Sequence, residues 1–67
     1  MNKGAIMQEA NSRGLLVNGF RVQISGSRND FATATISDRE HPFYGWHEEY
    51  SWQTIERATA GDGTLSA

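Results

Sequence analysis

The sequence predicts a small α+β domain: an antiparallel β-hairpin or three-stranded sheet with a C-terminal helix packed on one face, preceded by a short N-terminal helix. Three observations carry that expectation. Phe20, Val22 and Ile24 alternate with Arg21, Gln23 and Ser25, the period-two pattern of a sheet with one buried face. Beyond the turn-rich "GSRND", the segment "FATATIS" alternates again, with Ala32, Ala34 and Ile36 on one side and Phe31, Thr33 and Thr35 on the other. Near the C-terminus Ser51 stands as an N-cap before Trp52, Ile55, Ala58 and Thr59 at helical spacing, and Gly61 stops the run.

The remaining elements follow in chain order. "NKGAIMQEANSRG" fits a short helix from about Gly4 to Ser12, with Ile6, Met7 and Ala10 near one face and Gly14 in the left-handed position after it. Asn18-Gly19 suits a tight turn with positive φ, which makes Leu15 to Val17 a separate short strand; a bulge at Gly19 joining one longer strand is the alternative. The small side chains of Ala32 and Ala34 call for a large group packed closely above them, and Trp52 of the C-terminal helix has the size. Phe20 joins this core by its parity with Val22 and Ile24. Glu48 and Glu49 fall just before that helix, at the positive end of its dipole. "FYGWH" fits an edge strand that Pro42 confines to a margin of the sheet. One domain spans residues 1–67, with 1–13 and 62–67 as its more loosely ordered ends.

The order of helix, two or three antiparallel strands and helix resembles the topology of double-stranded RNA-binding domains. Those domains begin their last helix with a lysine-rich turn, whereas this chain reads "SWQTIER" after "HEE", so the topology assigns no family.

Size and composition narrow the function. A chain of 67 residues sits near the lower limit for an independent core, and with no cysteine it has neither disulfide nor thiolate zinc site to staple it. Self-association is the expected staple, so a homodimer is the expected state. No apolar run reaches the length of a membrane span, and the N-terminal stretch lacks the apolar core of a signal peptide. With the absence of cysteine this reads as a soluble cytoplasmic protein. Six basic and eight acidic side chains are mixed along the chain, a balance that disfavours broad binding to phosphate backbones.

One segment stands out. "HPFYGWHEEYSW", residues 41–52, holds five of the seven aromatic residues, both histidines and the only proline. Asp38, Glu40, His41, His47, Glu48 and Glu49 crowd the same region, but their spacing matches no metal site, and an extended chain would turn Glu48 and Glu49 to opposite faces. No nucleophile elbow or phosphate-binding glycine loop occurs. The expectation is no enzyme, no cofactor and no metal.

Protein interfaces are enriched in Trp, Tyr, Phe and Arg. The expected contact residues are Phe43, Tyr44, Trp46, His47 and Tyr50, with Arg21 and Arg39. Read as an alternating strand, the segment sends Phe43, Gly45 and His47 one way and Pro42, Tyr44 and Trp46 the other, so part of it closes the core and the rest, with Tyr44, Trp46 and Tyr50 partly exposed, forms a surface. The function expected is stoichiometric binding to a protein partner by a small regulator or inhibitor, in the style of small phage or mobile-element proteins that block host defence enzymes. The alternative is a nucleic-acid module that stacks bases on these rings and gathers Arg21, Arg28 and Arg39 on one sheet face.

Overall fold

The computed structural model describes residues 2–26 and 29–65, so Met1, Ser27, Arg28, Ser66 and Ala67 lie outside the described residues. Two helices pack on one face of a five-stranded sheet. The elements run α1 (Lys3–Arg13), β1 (Leu15–Val17), β2 (Phe20–Gly26), β3 (Phe31–Ile36), β4 (His47–Ser51), α2 (Trp52–Ala60) and β5 (Thr64–Leu65). The sheet order is β4-β3-β2-β1-β5. The first four strands form an antiparallel meander, and β5 lies parallel to β1. The fold is thus α+β with both expected helices, but its sheet is mixed and has five strands. Four strands between the helices, and a fifth after them, also depart from the order of the double-stranded RNA-binding domains.

Local chemistry explains the element ends. The Asn2 side chain caps α1 by accepting from the Ala5 N–H at 2.7 Å, and Gly14, at φ 84°, closes it by donating to the Ala10 carbonyl. Asn18 (φ 52°) and Gly19 (φ 84°) both take left-handed conformations, the signature of the two-residue turn that pairs Val17 with Phe20. Leu15–Val17 is therefore a separate strand, with no bulge. Ser51 accepts from the Thr54 N–H at the start of α2.

Beyond α2, the Gly63 N–H donates to the Ala58 carbonyl and Asp62 Oδ1 accepts from the Thr64 N–H, so the chain reverses sharply. Leu65 is then buried against the core. Within the 62–67 stretch expected to be loosely ordered, Thr64–Leu65 form the fifth strand, held by the Leu16 N–H donating to the Gly63 carbonyl at 2.8 Å, while Ser66 and Ala67 lie outside the described residues. At the other end, Ile6 and Ala10 anchor α1 in the core, so residues 3–13 are a packed helix as well.

The core lies between the helices and the sheet face carrying Leu15, Val22, Ile24, Ala32, Ala34 and Tyr50, whose cross-strand partners share that face. Ile6, Ala10, Trp52, Ile55, Ala58 and Leu65 complete it. Trp52 lies over Gly26, where an added methyl would already touch the indole at 3.5 Å. Because Gly26 pairs with Ala32, two minimal residues side by side make room for the largest one.

Asn11 does what no pattern announced. Beyond its last pair with β1, the edge of β2 is open, and Asn11 of α1 fills the gap. Its Nδ2 donates to the Ile24 carbonyl at 2.9 Å and its Oδ1 accepts from the Ile24 N–H at 2.8 Å. One side chain thereby satisfies a donor and an acceptor that a neighbouring strand would otherwise serve.

Candidate functional site

The helices cover only part of the sheet face. The remainder is bounded by the loop between β3 and β4, and the route of that loop builds the site. Asp38 accepts from the Glu40 N–H through its side chain and from the His41 N–H through its carbonyl. The Tyr44 N–H donates to the His41 carbonyl across a turn with Pro42 in its second position. The Trp46 N–H then donates to the Phe43 carbonyl across a turn that places Gly45 at φ 88°. Ile36 clamps the base, donating to the Trp46 carbonyl and accepting from the Gly45 N–H.

These turns replace the extended edge strand expected at 43–47, of which only His47 lies in a strand, as the first residue of β4. Proline fixes one φ and glycine supplies a positive one, so residues 41–45 cannot alternate. The consequence is chemical. Phe43 and Trp46, three residues apart, would face opposite ways in a strand, yet here their ring centroids are 6.3 Å apart. His41 lies 5.8 Å from Phe43 and meets Phe20 edge-on at 4.0 Å. Four rings from two parts of the chain form a continuous row with separations suited to aromatic contact.

This row walls a cleft of about 300 Å³ floored by Val22, Ala34, Ile36 and Tyr50. That volume falls at the lower end of the range for ligand pockets. Polar groups enter it from Asn18, His41, Glu48 and Tyr50. The Tyr50 hydroxyl donates to Glu48 Oε2 at 3.0 Å, and both side chains line the cleft because residues two apart on β4 share a face. Burial first, then the hydrogen bond and negative charge of Glu48, push the Tyr50 phenol above its ordinary pKa, so it stays protonated as a donor. His41 Nδ1 accepts from the Phe43 N–H at 2.9 Å, which leaves the proton of the neutral ring on Nε2. The site offers apolar walls, one carboxylate and no Ser, Thr, Cys, Lys or Arg among its lining residues. Among the described residues no three His, Asp or Glu side chains converge as a metal site would need.

The expected contact residues separate into two groups. Phe43 and Trp46 form the cleft wall, 64 % and 59 % exposed. Tyr50 was expected to be partly exposed; it is only 7 % exposed, since it pairs with Ala32 under α2, and serves the cleft as floor. Tyr44 is exposed but lies outside the lining. His47 and Arg21 project from the other face of the sheet, by strand alternation from Glu48 and Val22, and Arg39 is exposed on the 38–41 turn. Arg28 lies outside the described residues.

Among the lining residues outside the expected set, Phe20, His41 and Glu48 bear most on the chemistry of the cleft. Phe20 was assigned to the core by parity; it shares that face, but at the end of β2 beyond the helices, and is 42 % exposed. Its position beside the Asn18-Gly19 turn was the available signal. His41 has no pattern that betrays its ring contacts. Glu48 and Glu49 do precede α2, which begins at Trp52 as expected, but as members of β4 their side chains are set by the sheet. They do point to opposite faces, which leaves Glu48 alone in the cleft.

No protein-family model, curated protein or solved structure matches this chain. Among the described residues no helix is long and apolar enough to cross a membrane.

Proposed function

We propose that the chain is a non-enzymatic, cytoplasmic binding protein that regulates or inhibits a larger protein stoichiometrically, with the aromatic cleft as its contact surface. The observation that carries this reading is the joint exposure of Phe20, Phe43 and Trp46 around one concavity, in a chain that has few large side chains to spend outside its core. Concave, aromatic-lined surfaces accept anchoring side chains from a partner, and such anchors dominate interface energetics. The nucleic-acid alternative draws less support, because Arg21 projects from the face opposite the rings and tracking a backbone requires basic groups beside them.

The test is selection of peptides from a randomised display library on the immobilised protein. Enriched peptides should bind wild type and lose binding to folded Phe43→Ala and Trp46→Ala variants. Enrichment that ignores both substitutions would place the contact surface elsewhere. Light scattering across a concentration series decides the expected homodimer: a dimer that Trp46→Ala converts to a folded monomer would make the cleft a self-interface, whereas a monomeric wild type reserves it for a foreign partner.

A further inference from the structure

We infer that the cleft receives a cationic side chain, an arginine presented by the protein partner. This inference rests on the partner-binding reading above and adds the chemistry of the anchor.

An apolar anchor would leave one group of the cleft unsatisfied. Among the charged residue types, Asp, Glu, Lys and Arg, the cleft lining contains only Glu48. Glu48 is exposed to solvent, and an aliphatic side chain filling the space would displace water on its cleft side while returning no hydrogen bond. A cation supplies both needs at once. The faces of Phe43 and Trp46 attract positive charge through their ring quadrupoles, and aromatic walls with a carboxylate are the chemistry that recognises organic cations. The Tyr50 hydroxyl bonds to Glu48 Oε2, while Oε1 takes no hydrogen bond among the described residues. One carboxylate oxygen is therefore oriented by the protein and the other is available to a ligand.

Arginine suits the site better than lysine. A planar guanidinium stacks on indole and phenyl faces while its edge donates to a carboxylate, whereas an ammonium is a compact and more strongly hydrated point charge. The chain's net charge of −2 also favours approach of a basic segment.

The experiment follows the Trp46 indole N–H and Phe43 signals by NMR. The probes are a blocked pentapeptide with arginine between paired glycines and its citrulline and leucine counterparts. Citrulline keeps the shape and removes the charge. Glu48→Gln retains an acceptor for Tyr50 and removes the charge from the cleft; Glu49→Gln makes the same change in net charge on the opposite face. The arginine peptide should shift both signals saturably, and losing the charge on either side should weaken binding about tenfold, as expected for a cation held by rings and a carboxylate. Glu49→Gln should bind nearly as wild type. Equal binding of the citrulline or leucine peptide, or indifference to Glu48→Gln, would overturn the cationic anchor while leaving the cleft as a contact surface. Silence of all three peptides would also overturn it, and the library selection would then judge the partner-binding reading independently.

Discussion

Trp46 and Trp52 are six residues apart, on either side of β4, and meet opposite fates on the same side of the sheet. Trp52 is 8 % exposed, pressed onto Gly26 as the first residue of α2. Trp46 stands largely in solvent as the end of a row of rings. The difference comes from helix length rather than side-chain chemistry. At about 1.5 Å per residue, α2 extends about 14 Å, whereas the seven residues of β2 extend about 23 Å. Two short helices cover one end of the sheet face and leave the other to a loop. The covered end is a core of Ala, Ile, Leu and Trp, with Gly26 beneath the indole; the uncovered end is a cleft whose walls are aromatic and whose floor continues the core. A minimal domain can thus divide one sheet face between folding and recognition.

That division can be broken first at the covered end. Trp52→Ala should cost about 3–5 kcal/mol, enough to unfold most of so small a domain, as read by loss of the cooperative transition in urea. The Asn11 side-chain bridge from α1 to the edge of β2 comes next. Asn11→Ala leaves the N–H and carbonyl of Ile24 without their partner and should cost about 1–3 kcal/mol, with faster amide exchange at Ile24 as its local signature. Ser51→Ala removes the cap that starts α2 just past the cleft strand; a loss of about 1 kcal/mol in thermal or urea melts is expected.

A smaller effect distinguishes the cleft floor. Tyr50 holds its proton more tightly in the folded protein than in the unfolded chain. As pH rises past the phenol's ordinary value of about 10, the unfolded state loses that proton first, so stability is full below that pH and falls as it climbs toward the raised folded value. Tyr50→Phe should flatten this alkaline decline in melts taken across that range. An unchanged decline would mean that other groups carry it.

The sequence made the covered half readable and the open half obscure, for a physical reason. Alternation in β2 and β3, the Asn18-Gly19 turn, the Ser51 cap and the apolar face of α2 are local patterns, each set by residues within a few positions. They yielded the helices, the central hairpin and Trp52 as core. The two-residue β5 has no period to detect, and its pairing depends on Leu16 far away in the chain. The cleft likewise depends on Pro42 and Gly45 turning Phe43 back toward Trp46, and on β2 bringing Phe20 to His41. Phe43 and Trp46 were visible as candidates because of their size alone. His47, Tyr44 and Arg39 lie near these residues in sequence and Arg21 follows Phe20, yet none of the four lines the cleft.

The aromatic row is held to serve recognition rather than stability. The most direct test is equilibrium unfolding of the Phe43→Ala/Trp46→Ala double variant beside wild type. A cooperative transition with a loss of no more than about 1 kcal/mol is expected, since two largely exposed rings are removed. A loss approaching that of Trp52→Ala would show that the rings belong to the core, and the cleft would lose its standing as a binding site.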